Sequence, residues 1–157
     1  MGASLTTTIL IYAAFNLVAA LISYPAGFLS DRLGRKNILV LAFAIFLFTY
    51  LGFALNRNVA VISLLFVLCG LYQGIFRSVG MALASDYVPL RLRASGVGWY
   101  NTIVGFSSLA ASLIAGWLWD QVGHATVFYF GGAFTLVGSI ALLILVPATL
   151  KHEVITE

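Results

Sequence analysis

Five stretches of this chain are so long and so apolar that they leave little choice but a membrane-embedded helical bundle. They lie at about 6–28, 37–55, 59–85, 95–119 and 125–147. A transmembrane helix needs about 20 predominantly apolar residues, which each run supplies. Short polar breaks separate them, reading SDRLGRK, NRN, DYVPLRLR and DQVGH. Gly34, Pro89 and Gly123 punctuate three of these breaks, as helix stops should. Only 8% of the 157 residues are charged, whereas a soluble domain carries about 25%. No run has a charged outer face, so a water-soluble bundle is excluded. Apolar and polar residues do not alternate, which excludes a transmembrane barrel. The expected fold class is an all-α membrane protein of five transmembrane helices. It forms a single domain over residues 1–157, closed by a polar tail at 148–157. Its first partner is the lipid bilayer.

The basic residues orient such a bundle, because Lys and Arg accumulate on the cytoplasmic side. Arg32, Arg35, Lys36, Arg91, Arg93 and Lys151 fall on one side, and only Arg57 on the other. The N-terminus is therefore expected outside and the C-terminus in the cytoplasm, with the chain crossing a plasma (bacterial inner) membrane. Trp99 then lies near the inner interface, and Trp117 and Trp119 near the outer one. The net charge of +3 is too small to suggest nucleic acid, and the single Cys69 excludes an internal disulfide. The opening MGASLT fits a loose acylation pattern, but on the outer side of the membrane.

In lipid the informative residues are the polar ones. Arg77 lies inside the third run, about 13 Å along the helix axis from Asp86 at 1.5 Å per residue. A central arginine costs about 2.5–3.5 kcal/mol on insertion scales, so it should face protein or a wet cavity. It either contacts a solute or coupling ion, or pairs with a carboxylate or snorkels to the headgroups. Asn16, Gln73 and Asn101 mark the first, third and fourth helices. With Arg77 they are the candidate pathway-lining residues, although each amide alone is also explained by one interhelical hydrogen bond. The second and fifth helices, poorer in such groups, are expected to face lipid. Small residues mark close helix contacts: Gly70 with Gly74, and a stripe of Ser108, Ser112 and Gly116 supported by Ala111 and Ala115.

The break after the first run is crowded with charge. If the first helix ends near Leu29 or Ser30, Asp31 stands at a helix C-terminus, where a negative charge is unfavourable. Arg35, four residues later, is one compensating partner. The N-terminus of the second or fourth helix is another. Arg32, Arg35 and Lys36 are expected at anionic headgroups. Gly27 is expected to admit a neighbouring helix, and Gly34 to permit the tight reversal. Plain anchoring accounts for the basic residues but not for the acid and the two glycines, so the turn reads as an inner-face latch.

The segment GFLSDRLGRK resembles the signature loop of the major facilitator superfamily, G-x-x-x-D-R-x-G-R-[RK]. Gly27, Asp31, Arg32, Gly34, Arg35 and Lys36 occupy its fixed positions. SDYVPLRLRASGVG resembles that family's inner loop between the tenth and eleventh helices, and GWLWDQVG its outer turn before the twelfth. The resemblance covers about residues 6–147 and implies the eighth to twelfth helices of the C-terminal half. An alternative register is the second to sixth helices. There YQG at Tyr72–Gly74 is partly similar to a fourth-helix motif, but Gly70 stands where arginine is expected, and GFSSLAASLIAG lacks the Gly-Pro pair of the fifth helix.

The resemblance implies secondary active transport of a small solute by alternating access, with the loop aspartate locking the inside-closed arrangement. The superfamily uses two six-helix halves around a shared site. A five-helix chain is therefore expected to be inactive without further helices, from a missing N-terminal segment or a partner chain. The competing function is a non-transporting structural or assembly role, or a decayed transporter fragment. An enzyme is not expected: His124 and His152 sit in a turn and the tail, and Asp31, Asp86 and Asp120 do not converge. No phosphate loop and no metal-ligand spacing is present, so no cofactor or metal is expected.

Overall fold

The protein is described by a computed structural model covering residues 5–56 and 58–146. Arg57, Lys151, His152 and the tail at 148–157 lie outside the described residues, as do the first four residues of MGASLT. Five long helices and one short turn follow in order: α1 (Leu5–Leu33), α2 (Arg35–Leu55), α3 (Val59–Asp86), a 3-10 turn (Leu90–Leu92), α4 (Arg93–Gln121) and α5 (His124–Leu145). All five helices are long and apolar enough to cross a membrane. No strand occurs among the described residues.

The helices overrun the apolar runs at most ends. Most notably α1 continues to Leu33, so Asp31 sits in its last turn rather than beyond it. The helix stops only where Gly34 turns the chain with φ +90°. That left-handed backbone is open to glycine and strained for other residues. Gly123, at φ +127°, does the same between α4 and α5. At the opposite turn the Asn58 side chain accepts a 2.9 Å hydrogen bond from the Ala60 amide and caps α3.

Packing is set by small residues on α3 and aromatic ones on α2. A Cβ on Gly70 would stand 2.7 Å from the Phe15 carbonyl oxygen, and one on Gly74 would strike the Ala19 carbonyl and Ile22. The Gly70–Gly74 step therefore lets α1 and α3 come nearly backbone to backbone. Gly74→Val is expected to force the two helices apart. Overpacking of this kind costs about 1–3 kcal/mol, to be read as a lowered midpoint of thermal unfolding in detergent. An unchanged midpoint would show that the helices do not meet at Gly74.

The second helix departs from expectation. It is not confined to the periphery but lies between α3 and α5, burying Ile38, Leu39, Ala42 and Thr49 on one face while Leu41, Phe48 and Leu55 stay exposed on the other. Ile38, Leu39 and Ala42 join Ala26, Ile75 and Val79 in the core. Higher up, the Phe46 ring lies tilted against Tyr72 on α3 with centroids 4.4 Å apart, and Phe53 lies 5.3 Å from Phe128 on α5. The Tyr50 ring covers Gly131. Thr49 is fully buried, and its hydroxyl donates to the Ile45 carbonyl at 2.7 Å. The reason is shape: flat rings from α2 fill the gaps that glycine leaves on its neighbour. The fourth helix is the outlying one. It buries no residue, and Gly116 of its small-residue stripe has nothing within 4 Å of where a Cβ would be. Its clearest foothold is Tyr100, whose hydroxyl rests on Gly80 of α3.

Candidate functional site

Two polar assemblies lie along α3. The first is at the end of the bundle where α1 and α3 finish and α2 begins. Arg35 opens α2, and its Nη2 lies 3.3 Å from Asp31 Oδ1 in the last turn of α1. Its Nη1 lies 3.0 Å from Asp86 Oδ2, at the last residue of α3. Nη1 is buried without an aligned hydrogen bond, so the contact to Asp86 is an ion pair made by proximity. One guanidinium thus bridges two acids, each at a helix C-terminus whose dipole disfavours it. Of the two partners expected for Asp31, Arg35 is the one it meets. Asp86 was not expected in this role. The signal was available, because an acid ending α3 must lie on the same side of the membrane as an arginine opening α2.

The neighbouring loop residues differ from expectation in three places. Lys36 does not reach for headgroups. Its Nζ donates to the carbonyls of Leu143 at 2.8 Å and Val146 at 2.6 Å, capping the end of α5. Free carbonyls at a helix C-terminus attract a cation more closely than a hydrated surface does. Gly27 faces no neighbour among the described residues, since a Cβ there would meet nothing within 4 Å. Arg32 folds back over its own helix, 4.4 Å above the Phe28 ring. The loop is therefore fixed by two cross-helix contacts, Arg35 to α3 and Lys36 to α5.

The second assembly is a cavity of about 370 Å³ between α1 and α3. It is lined by Tyr12, Asn16 and Ser23 on one side and Gln73 and Arg77 on the other, with Phe15 beside them. Residues 12, 16 and 23 repeat at helical spacing, as do 73 and 77, so each set shares a face. The structure thus gathers three of the four candidate pathway residues. Asn101 is not among them, for it lies on α4, which contributes no residue to the cavity. Asn16 donates to the Tyr12 carbonyl at 2.8 Å, and Ser23 to the Ala19 carbonyl at 2.7 Å. Arg77 has no ion pair among the described residues. No group of three metal-ligating side chains occurs among them either.

Five helices long and apolar enough to span a membrane, with an ion-paired cluster at one end and a polar cavity between two of them, define a multi-pass membrane protein. The chain matches the family model of the Major Facilitator Superfamily over residues 1–156, and it belongs to that superfamily. It is 35% identical over 135 residues to the uncharacterized MFS-type transporter MJ1317 of Methanocaldococcus jannaschii, covering 86% of this chain and 34% of that protein. It is 29% identical over 137 residues to the quinolone resistance protein NorA of Staphylococcus aureus, covering 87% of this chain and 35% of that one. The chain therefore spans about a third of the length of these curated relatives.

Proposed function

We propose that this chain supplies one moving part of a secondary transporter. That transporter carries a small solute across a bacterial inner membrane by alternating access. The observation that carries this reading is the Arg35 bridge, which ties the inner ends of α1, α2 and α3 through charges that a modest shift of α3 would separate. A latch of this kind holds the inner side closed while the cavity above it is loaded, and its release opens that side. Asn16, Gln73 and Arg77 line the solute pathway. The basic residues near the latch keep this face in the cytoplasm, so the N-terminus lies outside and the C-terminus inside.

The five helices correspond in this reading to the eighth to twelfth of the superfamily fold. The exposed α4 and the greater length of the relatives support a transporting unit with more helices than these, in the same polypeptide or in a partner chain. The test is solute flux through the transporter isolated with every chain that accompanies it and placed in liposomes. Asp31→Asn is expected to lower flux at least about 10-fold, a loss of about 1.4 kcal/mol, while membrane insertion is unaffected. Unchanged flux would remove the latch from the transport cycle.

A further inference from the structure

Arg77 is the basic residue that lies within the interior of a described helix rather than at an end. In this chain Arg77 is exposed on the open side of the cavity; at membrane depth within a complete transporter its charge needs a partner, and the described part of the chain does not supply one. The acids among the described residues are Asp31, Asp86 and Asp120. Asp31 and Asp86 are both held by Arg35. Asp86 also lies nine residues further along α3, about 13 Å away, and Asp120 ends α4. The cavity wall beside Arg77 carries amides, hydroxyls and rings, and no carboxylate.

We infer that the counter-charge is brought by the solute, an organic anion with an apolar, ring-sized body. The inference rests on the transporter reading above and assigns its substrate class. The fork of the guanidinium matches a carboxylate through two parallel hydrogen bonds. Gln73 lies one turn before Arg77 on the same face, and its amide makes no hydrogen bond among the described residues, so it is available to a second oxygen. Across the cavity the Tyr12 and Phe15 rings lie nearly parallel, with centroids 6.1 Å apart, and offer a flat wall to an apolar body. A volume of about 370 Å³ is in the range of small-molecule sites.

The transporter, purified with its accompanying chains, is titrated calorimetrically with 1-naphthoate, with its uncharged analogue 1-naphthamide and with 1-naphthyltrimethylammonium. The expected result is preference for 1-naphthoate. Arg77→Gln is expected to weaken that binding by about 10- to 100-fold, the range for a charge-assisted bidentate contact, while leaving 1-naphthamide unchanged. Arg77→Lys keeps the charge but loses the fork, and falls between the two. It also serves if the glutamine variant fails to elute as a single species. Naphthoate binding that neither substitution changes would overturn the site, as it would if Arg77 were neutralised by a carboxylate elsewhere in the assembly. Binding or transport of the cation in preference to the anion would overturn the substrate class and leave the transporter reading intact. Absence of binding and flux for all three classes would overturn both.

Discussion

Arg35→Ala is expected to open the inner face. The substitution leaves Asp31 and Asp86 without their shared cation, each at a helix C-terminus that already disfavours a negative charge. Breaking a fully buried pair costs about 3–5 kcal/mol. Here Arg35 and Asp86 are each about a quarter exposed, so a discounted cost of about 2 kcal/mol is expected. If that energy favours the closed state alone, its loss shifts the closed-to-open ratio about 30-fold. The measurement is a thiol-labelling rate at a cysteine placed at Ser85, one residue before Asp86, read from the cytoplasmic side. Labelling should accelerate in Arg35→Ala. In Arg35→Ala with Asp86→Asn it should accelerate no further, because the two substitutions remove the same contact. Additive effects would show that the two residues act separately.

The second large effect concerns the chain by itself. Purified as a monomer and reconstituted into liposomes, the 157-residue chain is expected to show no solute flux above protein-free vesicles. Alternating access requires a second body for this one to rock against. The cavity between α1 and α3 also has an open side rather than a facing wall, since Tyr12 and Asn16 are exposed. Supplying the remaining helices, within one polypeptide or as a partner, should restore flux. Robust uptake by a verified monomer would end the proposal that more helices are needed.

Several features could be read without coordinates because they depend on one residue at a time. Membrane insertion responds to summed hydropathy, so five spans and their breaks follow from the charge-poor runs. The Gly34 turn follows from its place between two runs, and a close helix contact at Gly70 and Gly74 from their spacing, although not that α1 is the partner. The candidate cavity was half legible: Asn16, Gln73 and Arg77 stand out in apolar surroundings, but so does Asn101, which lies elsewhere.

The pairings belong to the tertiary structure. Arg35 and Asp86 are 51 positions apart, and Lys36 meets carbonyls 107 and 110 positions away. Such meetings depend on how each helix is rotated about its axis. In a soluble helix the polar stripe reveals that rotation. Here most faces are apolar, since lipid and protein interior make the same demand of a side chain, and helix contacts are decided by shape. That is why α2 lies in the core and α4 at the edge, the reverse of what their polar residues suggested. The chain's order of residues determined that it crosses a bilayer five times and which end of each span is charged. Only the shape fit of small residues against backbone and rings decided which helices meet, and therefore which charges do.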